Sequence, residues 1–595
     1  MSPKGILIQQ LRPRWSASLC PRATAGGQPP QKWPFGDRPA SNSNRFMVTH
    51  ALGRGTSRPL QNGLARGKYV MVILALSQAL PVGSGSSRME SPTMKRLIAL
   101  LLFLSLSPIV ACTSNCDGSG NCYIRAGANG SGNGSNWTNA CTGFTGACAS
   151  SNMTRGVSYW VAAGGYGGVT FNAPPARSSV ITINAATVAN HGPAADWSNS
   201  FAGQALFGES TVTTDYWTFD GQSRGSDWQS GYNIKFWNQK DGGSSAYALT
   251  LNGNNLSVRY VEIEGTNGNY SGGADDAGML IQGTHVNLGF SYVHDTGVDL
   301  IWNWGANTTF EYNYIARNHK GDQNAHAQAF ATCGNTMIIR YNTFRNIVSS
   351  GVITDPTPNG CTISNWYIYG NTWFWDTSLP SNQGVGDGFV DLFGETSSGV
   401  IQIYNNTFAG INASVCNPIN GSQVCNSHAL FVCGSACGYS GCPGGNCGHP
   451  TVTVYNNLWW NPSSAQDVAV NSSGASWTAT ADYGQAYCPA GGCSYSGGFT
   501  SVGSHDLQSN SGNPFVNFNG SSNFDVSLKA DTSPGFNIPN WATTPSGCSV
   551  GTNCENIDPL GVTRGANGTI DRGAFQINGT DPPPNPPTNL TATPH

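Results

Sequence analysis

Between Tyr292 and Arg345 the chain gathers residues that can move protons and hold charge. SYVHDTGVDL supplies His294, Asp295 and Asp299, and YIARNHKGDQNAHAQAF supplies Arg317, Lys320, His326 and Gln328. Arg345 follows in RYNTFRN, and Glu264 precedes them in VRYVEIEG. Imidazole, ammonium and guanidinium groups beside carboxylates are the equipment of general acid–base chemistry. The same types also have ordinary uses: Asp bonding its own backbone in turns, His satisfied in a turn, Arg paired with a neighbouring acid. Which use applies depends on the elements that position them.

Those elements repeat. EYNYIARN and RYNTFRN are near-copies whose asparagines, Asn313 and Asn342, stand 29 residues apart, and Asn371 in GNTWFW follows after another 29. Asn406 in NNTFAG and Asn457 in NNLWWN continue the series, and upstream Val261 and Ser291 take the same slot. Before each anchor the sequence alternates and is rich in β-branched and aromatic residues, so each unit begins with a strand. The intervals are filled with Gly, Asn, Ser and Thr, which excludes a helical repeat. Units of this length that cannot bury an apolar face alone form a solenoid, and strand–turn–strand–turn units of about 22 to 30 residues are coils of a parallel β-helix. The anchors are expected to stack about 4.8 Å apart, each side-chain amide bonding the next.

Aligning the coils turns the list into a surface. Three positions after the anchor slot come Glu264, His294, Ala316 and Arg345, and one position later Gly265, Asp295, Arg317 and Asn346. The first column then continues with Phe374, Ala409 and Trp460, so its polar part ends after the fourth coil. Neighbouring residues of a strand point to opposite faces, so a run such as Trp373-Phe374-Trp375 must turn a ring away from the core. Such a ring is either a sugar platform or a contact for another loop. Trp302 and Trp304 are candidate substrate contacts of this kind, with Gln328 beside them.

Only 10% of the 595 residues are charged and 76 are glycine, which excludes both a disordered and a helical protein. Residues 1–93 are Pro-, Arg- and Gly-rich without periodicity and read as an over-extended reading frame, with translation expected to start at Met94. MKRLIALLLFLSLSPIVAC, over 94–111 and the following Cys112, has the basic start, apolar run and small-residue end of a secretory signal. The run is too short for a confident membrane span. Residues 1–111 hold 14 basic and two acidic residues, so the exported part holds 14 basic and 29 acidic, a formal charge of −15. A body this acidic excludes nucleic acid as the partner. The domain expected is 112–580, followed by a Pro-rich linker over 581–595.

The ending Ile109-Val110-Ala111-Cys112 resembles the lipobox of bacterial lipoproteins, which implies an outer-membrane lipid anchor on Cys112. Of 17 cysteines from Cys112 onward, lipidation leaves an even 16. Ordinary cleavage after Ala111 is the other reading. Cysteines close in sequence (116 and 122, 141 and 148, 488 and 493, 548 and 554) read as disulfides in an exported chain. Cys333 and Cys361, 28 residues apart, fall on adjacent coils within disulfide reach.

GSGNGSNWTNA with VSYWVAAGGYGG resembles the opening segment of bacterial right-handed parallel β-helix proteins of the pectate-lyase-like superfamily, and TIDRGAFQ (Thr569 to Gln576) resembles their closing phrase. The resemblance implies an all-β, single-stranded right-handed parallel β-helix and a monomeric, exported, carbohydrate-active protein acting on a uronate-containing polysaccharide. Lyases of this superfamily take the proton next to a uronate carboxylate with an Arg or Lys base while a cation neutralises the carboxylate. Asn346 to Leu528 contains no Lys or Arg, so the base would be Arg317, Lys320 or Arg345, with His294 and His326 as further catalytic candidates. Asp295, Asp299 and Glu264 would hold calcium through oxygen. HAQAFATCGN resembles in placement the calcium-binding rung of chondroitinase B and alginate lyases, but His326 and Gln328 stand where acids would be, and no Lys follows. A polygalacturonase-type hydrolase would use Asp275 and Asp276, yet its Gly-His-Gly and Arg-Ile-Lys phrases are missing. The alternative outside enzymes is a non-catalytic adhesin or polysaccharide-binding solenoid.

Overall fold

The computed structural model describes residues between 116 and 577. It leaves out 1–115, 578–595 and chiefly 239–245, 266–275, 319–326, 348–350, 355–362, 376–387, 394–398, 410–416, 434–450, 461–468, 472–477, 488–500 and 531–556, with several shorter pieces. Cys112, Lys320, His326 and Cys361, and the segments 1–93, 94–111 and 581–595, therefore lie outside the described residues.

Three long sheets of 13, 12 and 10 parallel strands carry the chain, and successive strands pass from one sheet to the next in fixed rotation. One coil shows the logic. Asp276–Ile281 lies in the 10-stranded sheet, Val286–Gly289 in the 13-stranded sheet and Tyr292–Thr296 in the 12-stranded sheet, and each pairs in parallel with its counterpart one coil away. This is a right-handed parallel β-helix, the hand that β-crossovers adopt.

The corner between the 13- and 12-stranded sheets is one residue in the left-handed backbone region. Tyr260, Phe290, Tyr312 and Tyr341 have φ of 54° to 57°, and Gly370 (66°) and Asn405 (52°) continue the row. A non-glycine side chain resists that conformation by about 1 kcal/mol, so something must hold it. The next residue does. Asn313 Nδ2 donates to Asn342 Oδ1 (2.9 Å), Asn342 to Asn371 (3.0 Å), Asn371 to Asn406 (3.0 Å) and Asn406 to Asn457 (3.0 Å). Each anchor Oδ1 also accepts the backbone N–H of the preceding anchor, and each Nδ2 also donates to a carbonyl of the coil before, such as Phe310 O for Asn342. The expected ladder is present, and upstream Ser291 joins it, its N–H donating to Asn313 and its hydroxyl accepting from Val261.

The interior is filled by the residues that alternate inward, including a ring row Phe344–Trp373–Phe408–Trp459. Trp373 therefore faces in, and Trp375 bonds Ile347 O from within the core. Phe374 and Trp460 face out and are covered by the hairpin Phe515–Phe518 with Phe524–Leu528. Of the two uses foreseen for such outward rings, these serve as loop contacts. The closing phrase docks as well, Gly573 N–H donating to Asn456 O and Ala574 N–H to Thr407 Oγ1. Cys116–Cys122 and Cys141–Cys148 are disulfides, as the sequence spacing suggested, and Cys333 is disulfide-bonded too, its expected partner lying outside the described residues.

Asn342→Ala strands buried donors and acceptors on both neighbouring coils, at about 1–3 kcal/mol each. We expect a loss of roughly 3 kcal/mol or more by denaturant unfolding, whereas Asn365→Ala, at the outer start of a strand, costs under about 1 kcal/mol. Equal costs at the two sites would contradict the ladder's role.

Candidate functional site

The column read from the sequence exists as a hydrogen-bonded row. Glu264 pairs with His294, His294 with Ala316, Ala316 with Arg345 and Arg345 with Phe374 on the 12-stranded sheet. Alternation in Val261–Glu264 sends Val261 and Ile263 inward and Glu262 and Glu264 outward. A second outward row thus runs beside the first, with Lys235, Glu262, Tyr292 and Tyr314.

His294 is the centre of the cluster and only 4% exposed. Its Nδ1 lies 2.7 Å from Asp295 Oδ2 and its Nε2 3.3 Å from Glu262 Oε1, so each ring nitrogen faces a carboxylate and can donate to it. Burial disfavours its charge, but the bonds to Asp295 and Glu262 outweigh that and raise its pKa. Burial likewise pushes the Glu262 carboxyl up, and His294 and Lys235 overcome it, holding the group down at about 2. Lys235 bridges Glu262 (2.8 Å) and Glu264. Gln204 donates to the remaining Glu262 oxygen at 2.7 Å.

Arg317 clamps Asp295 through Nε (2.8 Å) and a terminal nitrogen (2.7 Å), and the same nitrogen donates to the Tyr292 hydroxyl at 2.6 Å. Burial opposes its charge, but Asp295 and Tyr292 raise its pKa, so Arg317 is a permanent cation. Asp295, Arg317 and Asn346 each have φ of 53° to 55°, so the backbone enters the left-handed region at the same point of three coils. Tyr292 lies against the imidazole at 3.8 Å between centroids.

The remaining expected residues are placed as follows. Arg345 stands on the row but is 4% exposed. Asp299 is buried, accepts the Gln328 backbone N–H at 2.6 Å and is not gathered with Glu264 and Asp295. Gln328 is itself 3% exposed. Trp302 lies on the 10-stranded sheet, a different face from His294, with Trp304 just beyond it, edge-on at 5.5 Å.

Glu264, His294 and Asp295 offer ligand atoms within 4.8 Å of one another. Calcium takes six to eight oxygens. Here one donor is a nitrogen, Lys235 already bonds Glu264, and Arg317 occupies both oxygens of Asp295. The set does not fit calcium, because the chain's own cations supply the positive charge.

Sequence reading missed Lys235, Glu262, Tyr292 and Gln204. Glu262 and Tyr292 were accessible by simple alternation from Glu264 and His294. Lys235 sits in NIKFWN, which has no anchor phrase to align it, and Gln204 lies still further upstream.

No family model and no curated protein matches the chain. Among solved structures it is similar to the pectate lyase Pel9A, at 14% identity over 79% of this chain and 100% of that one, TM-score 0.41. An alginate lyase from a Paenibacillus species follows at 11% identity over 60% and 94%, TM-score 0.34, and the Dettilon tailspike protein at 11% over 56% and 62%, TM-score 0.28. The chemistry cannot be read from likenesses this distant. The fold rests on the chain's own register.

The two shifts fix a pH window. Glu262, lowered from 4.5 to about 2, stabilises the fold above pH 4.5 and loses that contribution as pH falls toward 2. His294, raised above 6.5, contributes fully below 6.5 and loses its contribution as pH rises through the folded pKa. Thermal stability should therefore be greatest between pH 4.5 and 6.5 as far as this cluster contributes, and His294→Gln should flatten the alkaline side. Melting curves from pH 3 to 9 check this; an unchanged alkaline slope in the variant would contradict it.

Proposed function

We propose that the protein is an exported β-helix that binds and cleaves a uronate-containing polysaccharide. The observation that carries the reading is the register that brings Lys235, Glu262, Glu264, His294, Asp295, Arg317 and Arg345, from five consecutive coils, onto one outward face. In the sequence, Lys320 and His326 follow the strand Tyr314–Asn318 that carries Arg317. The disulfides Cys116–Cys122 and Cys141–Cys148 support an oxidising compartment, and so export, with Cys112 either lipidated or left at an ordinary cleavage site after Ala111.

The geometry supports roles for Arg317 and His294. Arg317, one-third exposed and fixed by Asp295 and Tyr292, is the cation to meet a substrate carboxylate. His294 is buried and keeps its proton, so it positions Asp295 and Glu262 and does not act as a base. Arg345 is buried too. Proton abstraction next to the carboxylate then falls to Lys320 or His326. The resemblance of HAQAFATCGN in placement to a lyase rung supports the reaction class.

A second reading is a non-catalytic polysaccharide-binding surface solenoid. It is favoured by the closed pairing of the cluster, in which each of Lys235, Glu262, Asp295 and Arg317 is bonded to a neighbour.

Incubation with pectin, alginate and chondroitin sulfate, with calcium or with a chelator, separates the two. We expect growth of the absorbance of unsaturated uronate ends on at least one polymer, at the same rate in both conditions because Lys235 and Arg317 already neutralise the acids. Arg317→Ala should lower the rate by about 100-fold or more. No unsaturated ends and no reducing ends on any polymer would leave the binding reading alone.

A further inference from the structure

Trp237 is the one aromatic ring among the exposed large apolar side chains of the described residues, at 38%. It ends the strand Ile234–Trp237 and pairs directly with Glu264, so it extends the Glu264–His294 row by one coil toward the N-terminus. Lys235 Nζ stands 5.9 Å from its ring centre. On the far side the row is empty of side chains. The preceding strand pairs Phe207 with Phe236, so the next residue, Gly208, comes beside Trp237. One coil earlier, on the parallel row, Gly165 pairs with Leu206, and a Cβ there would meet nothing within 4 Å. Leu206, 37% exposed, floors the parallel row next to Lys235. A shelf of glycine backbone and one leucine therefore ends at an indole, with carboxylates immediately beyond.

We infer that this shelf is a subsite for an uncharged sugar ring, stacked on Trp237 with its hydroxyls toward Glu264 and Lys235. A pyranose has an apolar C–H face and a polar rim, which match an exposed indole bordered by hydrogen-bonding groups. Glycine in a strand permits close approach of a ligand to the backbone. The available cations place a uronate elsewhere. Lys235, 15% exposed, is already shared between the carboxylates of Glu262 and Glu264, whereas Arg317, 32% exposed, meets only that of Asp295, so a substrate carboxylate finds its partner at Arg317, further along the row, and not at Trp237. The inference rests on the polysaccharide reading above and narrows it. The glycan is a mixed polymer in which an uncharged sugar neighbours a uronate, and not a homopolyuronate.

The test is retention and affinity on hyaluronan and rhamnogalacturonan as mixed polymers, galactomannan as a neutral one, and alginate and polygalacturonate as homopolyuronates. Wild type should bind hyaluronan or rhamnogalacturonan, and more tightly than galactomannan. Trp237→Ala should weaken that binding about tenfold or more with its melting temperature unchanged, and Trp237→Phe, which keeps a flat apolar face, should restore most of it. Any affinity for homopolyuronates should be the same in all three proteins. Wild-type binding that Trp237→Ala leaves intact would overturn the subsite alone, as would wild-type binding confined to homopolyuronates. Binding to none of the five polymers would overturn the subsite and the polysaccharide reading together.

Discussion

Each buried anchor asparagine spends its side chain on the neighbouring coils: Asn342 accepts a backbone N–H and an amide N–H from the coil before, donates to a carbonyl of that same coil, and donates to the next anchor's amide oxygen on the other side. A parallel strand pair could slip along its axis, and a slip of one residue would turn every side chain to the opposite face. The ladder forbids that slip because a displaced asparagine would leave several buried polar groups without partners. It also holds the single-residue corner at Tyr312 and Tyr341 in its left-handed conformation. Inward rows such as Phe344–Trp373–Phe408–Trp459 and outward rows such as Glu264–His294–Ala316–Arg345 are consequences of one fixed register.

Much of this was legible in the sequence. Asparagine before a strand at 29-residue spacing is a direct imprint of the ladder, and counting from the anchors placed the outward row correctly to the residue. What could not be read was how far the charges satisfy each other. His294 looked like a free acid–base group, but in the fold it lies between Asp295 and Glu262, the latter a strand neighbour 32 residues earlier. Asp299 seemed to belong with Asp295, yet a corner separates them and it caps the turn at Gln328. Trp237 escaped notice because its coil has no anchor phrase, so nothing aligned it with Glu264.

The site is electrostatically self-contained. Lys235, His294 and Arg317 alternate with Glu262, Glu264 and Asp295 across the outward face, so the pairing that fixes the geometry of these six groups also balances their charge. Pairs this little exposed are strongly destabilised when one partner is removed, because the other charge is left buried. The cluster therefore resists rearrangement, as a surface meant to present Arg317 in one orientation requires. Toward the C-terminus the same rows become apolar and are sealed by the hairpin over Phe374 and Trp460. Toward the N-terminus they open onto the glycine shelf.

The central claim is that coil stacking, and not sequence proximity, assembles the charged cluster. A double-mutant cycle on Glu262→Gln and His294→Gln, followed by equilibrium unfolding at pH 5.5, measures this directly. The structure predicts a coupling of about 1–3 kcal/mol between the two positions. Additivity within about 0.5 kcal/mol would contradict the account.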